Sequence, residues 1–392
     1  MNYNNPIRNG STVTIRVMCA IVFAVFSFAW IYYFQSDLLA MAQHVLSGGL
    51  TTYSPLLGAI ILSVSLLLIQ QIVYNIVKLK KRYHALTYLP SMLLLAMLTG
   101  ISLKTDGRSM VDWHWFMPVI VMVVWLLLTL LVRLLQEVED DRDYSLFSRP
   151  MWINMLLLAL QMIFVAWVGN TNAVMHYRMK TELLLSKGEY RKALDVGRHS
   201  LESDSDLLML RMYALARENA LGERLFEYPV SGSSSSEILP TDGRDRLVLY
   251  PVDSLYRFLG ARPAHPMKPM RYLERLLARQ SSDSSLQSPV SSYYLCGLLI
   301  DKDLDTFVRR LLDLRQEGDS LIIDHLPRHY REAMTLYTHL RAHPLIVYHN
   351  SVLEEDWQNL QELEAQYPDA TERKGRVEEQ YRGTYWYYYR YE

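Results

Sequence analysis

The 392-residue chain carries 40 Lys and Arg against 41 Asp and Glu, and half of its residues are hydrophobic. That near-neutral balance excludes the strongly basic footprint of nucleic-acid binding, and two cysteines, Cys19 and Cys296, exclude a disulfide framework. The average conceals two populations: residues 1–169 hold 11 basic and 8 acidic side chains and the long apolar runs, whereas residues 170–392 hold 29 and 33.

Five apolar runs organise the first part: residues 15–34, 56–77, 85–101, 115–135 and 151–169. A helix needs about 20 residues to cross the hydrocarbon core, and about 17 can suffice. Four runs meet this comfortably. The third is the shortest and contains Pro90, yet it too is expected to span. The first run is too long for the apolar core of a cleaved signal peptide, and no small-residue cleavage site follows it, so it is expected to be retained. Lys and Arg in the flanking segments set the orientation. Arg8, Arg16, Lys78, Lys80, Lys81, Arg82, Arg133, Arg142 and Arg149 fall on one side of a five-span chain, and only Lys104 and Arg108 on the other. This predicts a cytoplasmic N-terminus and an extracytoplasmic C-terminal part. Basic residues soon after the last run, among them Arg178 and Lys180, oppose this, but long domains translocate largely regardless of charge.

No Asp, Glu, Lys, Arg or His lies in the middle of a run. Ion and proton pathways normally require such groups, so a pump or proton-coupled transporter is disfavoured. The polar content is Ser63, Ser65, Gln70, Gln71, Asn75, Asn154 and Gln161. Gln161 is central enough to hydrogen-bond between helices. The acidic residues Glu137, Glu139, Asp140, Asp141 and Asp143 read as a solvated loop rather than a cation site.

Residues 170–392 read as helices with short polar connectors. Gly188, Tyr190, Ala193 and Leu194 form a G-x-Y-x-x-A-L pattern, and a further helix at 206–219 brings Leu210 and Ala214 to the equivalent early positions. This pattern resembles the turn and second helix of a tetratricopeptide repeat, where glycine permits the tight turn and small residues permit close packing. About 1.3 repeats are recognisable, and Asp204, Ser205 and Asp206 stand where the usual proline would be. Residues 231–236 and 240–244 read as a loop, and 247–250 as a short extended stretch. Helices are then expected over 253–259, 270–279, 289–300, 304–317, 326–343, 353–367 and from 370 onward. The chain as a whole is expected to be all-α: a five-helix transmembrane domain, residues 1–169, followed by a tetratricopeptide-like α-solenoid, residues 170–392. It also resembles an uncharacterised family of bacterial multi-spanning membrane proteins with a helical-repeat C-terminus. That resemblance rests on residues 326–337 and on the closing aromatic run, and no assigned activity comes with it.

Candidate sites are few. His339 and His343, and His325 and His329, stand four apart, but no H-E-x-x-H motif accompanies them and no third ligand is fixed by spacing. No nucleotide-binding glycine motif and no G-x-S-x-G occurs, and no cofactor or metal is implied. The run Tyr385, Trp386, Tyr387, Tyr388 and Tyr389 is the most unusual feature. It could close the last helix against the core, lie at a membrane interface, or present a ligand or partner face. Gly188, Tyr190, Ala193, Leu210 and Ala214 are expected to pack the repeats, and Tyr213, Tyr294 and Tyr330 to fill packing or groove positions. The pattern suits a scaffold or assembly protein of the bacterial cytoplasmic membrane, with the lipid bilayer and a protein or peptide as its partners. The alternative is a cell-envelope enzyme or enzyme subunit acting on a lipid-linked or polysaccharide substrate. Its cleft would lie near Lys104, Asp106, Arg108, Asp112 and His114.

Overall fold

The computed structural model describes residues 6–77, 79, 81–100, 116–135, 149–230, 234–240, 247–279, 286, 288–314 and 326–392. Every regular element among them is a helix, and they contain no strand. The chain divides into two compact units, Met1–Asn172 and Ala173–Glu392.

In the first unit α1 (Pro6–Ala29) runs into a π-helical turn, Trp30–Phe34, and then α2 (Ser36–Leu46). α3 (Pro55–Val77) is followed by a 3-10 segment, Lys81–Tyr88, that leads into α4 (Leu89–Thr99). α5 (Met117–Leu135) and α6 (Arg149–Val168) complete the unit. Four stretches are long and apolar enough to cross a membrane: Val13–Phe34, Pro55–Val77, Met117–Leu134 and Arg149–Val168. Leu68, Ile72, Leu127, Leu131 and Trp167 are all more than half exposed. Apolar side chains left open in such numbers fit an exterior that faces lipid.

The expectation of five full-length spans is corrected at the third run. Its α-helix has 11 residues, which at 1.5 Å each rise about 16 Å, and Tyr83 departs from helical geometry in the preceding segment (φ −122°, ψ 23°). Pro90 sits in the first turn of α4, where it costs no hydrogen bond but cannot continue an α-helical ladder backward.

The change of helix type leaves main-chain groups to be paired by side chains. Ala85 N–H donates to Asn154 Oδ1 at 2.7 Å, and Gln161 Nε2 donates to Ala85 O at 3.0 Å. Trp125 Nε1 donates to Leu86 O at 2.9 Å, and Gln70 Nε2 reaches Thr87 Oγ1, which itself donates to His84 O. Further along, Ser91 Oγ donates to Leu66 O on α3, and Asn170 N–H to Thr99 O. Gly169 lies where a Cβ would come within 2.8 Å of the Trp30 ring and 3.1 Å of Thr99 Oγ1, so only glycine admits this approach.

The second unit begins with α7 (Ala173–Ser186), α8 (Tyr190–Asp195) and α9 (Ser205–Arg217), which pack on one another. α9 starts where the Asp204 carboxylate accepts Leu207 N–H at 2.7 Å, an N-cap that pairs an otherwise open donor. α10 (Leu221–Arg224), α11 (Val252–Leu259) and α12 (Pro269–Arg279) follow. α13 (Pro289–Ile300) is buried at nearly every position, as its apolar sequence requires of a central helix. From α12 onward chain neighbours pack in order: α12 on α13, α13 on α14 (Leu304–Asp313), α14 on α15 (Arg328–Leu340), α15 on α16 (Ser351–Gln366) and α16 on α17 (Ala370–Tyr381). The last segment breaks at Gly383, whose φ of +89° suits glycine. α18 (Tyr385–Tyr391) then starts under a Thr384 cap and packs on α15 and α17.

Replacing Asn154 by Leu removes the acceptor of Ala85 N–H in a setting without water. It should lower the stability of the first unit by about 1–2 kcal/mol, read as reversible unfolding in detergent by tryptophan fluorescence. Gln71→Leu, on the exposed face of α3, should leave the same transition unmoved. Equal behaviour of the two variants would contradict the role assigned to Asn154.

Candidate functional site

The sequence of α15 places Arg328, His329 and Glu332 three and four residues apart, on one helical face. Glu332 is 2% exposed and His329 fully buried. The Glu332 carboxylate accepts Arg328 Nε–H at 2.8 Å through one oxygen. Its other oxygen takes Tyr385 N–H at 2.7 Å and lies 3.0 Å from His329 Nδ1. His329 Nε2 accepts Phe226 N–H at 3.3 Å, so that nitrogen is unprotonated and Nδ1 carries the proton toward Glu332. The Glu332 main-chain carbonyl accepts Trp386 Nε1–H at 2.8 Å. One residue thus ties the start of α18 to α15 twice, and its histidine neighbour ties in the segment around Phe226.

The closing aromatic run belongs to this assembly. Tyr385, Trp386, Tyr387 and Tyr388 are each at most 5% exposed, and only Tyr389 is partly open. The Phe226 ring meets those of His329, Tyr385 and Tyr388 at 4.8–5.1 Å. Tyr388 O–H donates to Ile300 O at 2.7 Å, and Trp386 packs edge-on against Trp357. Of the three readings of the run, the core position is the one its burial matches. Burial pushes the Tyr385 phenol well above its ordinary range, and likewise Tyr330, so both stay neutral.

The residues of the repeat-like pattern fall as follows. Gly188 takes a positive φ of +73° between α7 and α8, with open space around its missing Cβ. Ala193, Leu210 and Ala214 are fully buried, and Tyr190 is half-buried with its ring against Tyr213 at 6.4 Å. α8 is only 6 residues long, whereas α7 has 14, an inequality that a two-helix repeat would not have. Tyr213, Tyr294 and Tyr330 are core residues. Cys296 packs against Tyr330 O–H at 3.6 Å, and burial pushes its thiol up to about 12, so it remains protonated.

Two charged residues that the sequence pattern did not single out hold irregular backbone. Glu182, fully buried on α7, accepts the N–H groups of Val248, Leu249 and Tyr250 through one oxygen and Arg178 through the other. Arg178 bridges on to Asp206 at the start of α9. Burial pushes the Glu182 carboxyl up, against the pull of Arg178 and the three amides. Arg211, also fully buried, donates to the carbonyls of Val196 and Gly197 and to Ser203 Oγ, with its guanidinium 5.0 Å over the Tyr228 ring. For Arg211 the available signal was a charged residue within the apolar stretch 207–216, which demands internal partners; Glu182 lies among other charged residues of α7 and carried no such signal.

His339 stacks on Trp357 at 5.7 Å, and His343 lies beyond the end of α15 and is exposed. His325 lies outside the described residues, as do Lys104, Asp106, Arg108, Asp112 and His114 and the acidic stretch 137–143. Among the described residues no group of three His, Cys, Asp or Glu side chains is placed to hold a metal ion.

Residues 276–392 match the model of a family of unknown function (DUF6057). No curated protein matches the chain, and no solved structure does. The family match spans α13 to α18, and thus contains Glu332, His329 and the aromatic run together.

Glu332→Ala should destabilise the second unit by about 3 kcal/mol, because it strands the buried donors of His329 and Tyr385. Denaturant unfolding of the full chain, followed by Trp386 and Trp357 fluorescence, measures it. A midpoint equal to that of the parent chain would contradict the role given to the carboxylate.

Proposed function

We propose that the chain is a membrane-anchored scaffold or assembly protein whose C-terminal helices form a short tetratricopeptide-like stack, presented outside the cytoplasm to a protein or peptide. The observation that carries this reading is the order of packing from α12 to α17. Each helix lies on the next one in the chain, the arrangement by which helical solenoids generate extended surfaces for partners. Purification of the full chain from its native membranes, after mild crosslinking, should return a protein partner in fixed stoichiometry. Recovery of the chain alone under those conditions counts against the scaffold.

The orientation depends on whether residues 81–99 make a fifth crossing, and the hydrogen-bond register supports one. Ala85 pairs with both Asn154 and Gln161, and Thr99 with Asn170, so the segment runs parallel to α6 from its second turn to its end. On α1, Phe23 meets Tyr88 and Trp30 meets Thr99, in the same direction. On α3, Gln70 meets Thr87 and Leu66 meets Ser91, in the opposite direction. Beyond the kink at Tyr83, the 3-10 residues 84–88 and the 11 α-helical residues together rise about 26 Å, a little short of the roughly 30 Å hydrocarbon core. A chain of five crossings has its N-terminus and the second unit on opposite sides, and the nine-to-two distribution of Lys and Arg makes the N-terminal side cytoplasmic. A reporter that is active only after export, fused behind Glu392, should be active. Activity of a cytoplasm-only reporter at that position instead would remove both the fifth crossing and the extracytoplasmic placement.

A further inference from the structure

We propose that Arg16, with Tyr74 and His84, holds the phosphate of an anionic phospholipid headgroup at one end of the membrane unit. Arg16 is the fourth residue of the span Val13–Phe34 and is exposed. Val13 and Val17, its neighbours on the same helix, are about half exposed or more. A guanidinium in such a place needs an anion, since a charge next to hydrocarbon is costly without one. No carboxylate among the described residues pairs with it; its contact is with Tyr74, whose hydroxyl it reaches and over whose ring its carbon lies at 4.3 Å. One hydroxyl leaves most of the five guanidinium donors open, in the planar fork that suits phosphate.

A second group converges on the same ring. His84 packs edge-on against Tyr74 at 5.1 Å and against Tyr88 at 5.7 Å. It is 4% exposed, and its Nδ1 finds no hydrogen-bond partner. A buried polar atom left unpaired calls for an explanation, and an ion close by is one of them. The charge nearby in the sequence is of one sign: Lys78, Lys80, Lys81 and Arg82 lie within the six residues before His84. The described guanidinium of Arg82 lies 5.6 Å over the Tyr83 ring. Basic clusters at the ends of membrane helices recruit anionic headgroups, and the exposed Val13 and Val17 of the same helix offer apolar surface for the acyl chains. A lipid therefore satisfies the charge and the apolar rim together, whereas free phosphate would satisfy only the first.

The inference rests on the membrane reading of the first unit and is independent of the scaffold reading. The test uses the full chain in neutral detergent, with phosphatidylglycerol or phosphatidylcholine added and bound lipid counted by native mass spectrometry. Phosphatidylglycerol should be retained in preference to phosphatidylcholine, and Arg16→Gln should reduce that preference about fivefold, with Arg16→Lys keeping part of it. Tyr74→Phe, which retains the ring and the charge, should reduce it more mildly and serves if Arg16→Gln does not fold. Equal retention of the two lipids, or an undiminished preference in both Arg16→Gln and Tyr74→Phe, overturns the proposal. Thermal stabilisation by inorganic phosphate without any preference for phosphatidylglycerol assigns the site to free phosphate and overturns it as well.

Discussion

The membrane unit depends on how the main chain of residues 84–87 is paired. Hydrocarbon offers no water to an open N–H or C=O, so each must be satisfied from within. An uninterrupted α-helix does this by itself. A 3-10 segment that turns into an α-helix ahead of Pro90 does not, and four polar side chains from three other helices make up the difference. Asn154 and Gln161 take the two main-chain groups of Ala85, Trp125 takes Leu86 O, and Gln70 acts through Thr87. Three of the few polar residues of the spans, Gln70, Asn154 and Gln161, thus serve one neighbour, and with Trp125 they fix its depth and rotation against α6, α5 and α3.

The same logic operates in the second unit with charged groups in place of amides. Glu182 gathers three consecutive amides of the 248–250 stretch, Arg211 closes the turn after α8, and Glu332 anchors the start of α18. A buried carboxylate or guanidinium is costly unless each of its oxygens or N–H groups is met. Glu182 and Arg211 are met largely by main-chain groups of segments that have no ladder of their own, and Glu332 by the Tyr385 amide together with Arg328 and His329. Charge is therefore used to hold irregular backbone against helices that are otherwise apolar. It also accounts for the closing aromatic run: its rings fill the space around Phe226 and Trp357 because Glu332 has already fixed the backbone from which they project.

Much of this was legible from residue patterns. Helix positions followed from apolar periodicity, and the long spans from uninterrupted hydrophobicity. Other features were legible only in part. The third run was apolar enough to be counted with the rest, but Pro90 and the kink at Tyr83 divide it into two helix types. Residues 370–392 read as one segment, and the positive φ of Gly383 splits it. The aromatic run could have closed against the core, lain at a membrane interface or presented a ligand or partner face, since aromatic side chains suit all three, and in the structure four of its five residues are buried, with α18 packed on α15 and α17. Glu332 and Tyr385 stand far apart in the chain, and no spacing rule joins them.

The sequence by itself determined what local physics controls: the helical class, the stretches apolar enough to cross a membrane, the asymmetry of positive charge and the places where helices start. These depend on neighbours within a few residues, so one chain is enough to read them. Only the tertiary structure decided which polar and charged side chains meet which backbone groups. It placed Asn154 and Gln161 on either side of Ala85, joined Glu332 to Tyr385 and Trp386 at the start of α18, and left Arg16 beside Tyr74 and His84 without an acidic partner among the described residues. Such pairings join residues remote in sequence. They are selected by the cost of leaving a buried group unpaired, which is felt only once the helices have packed.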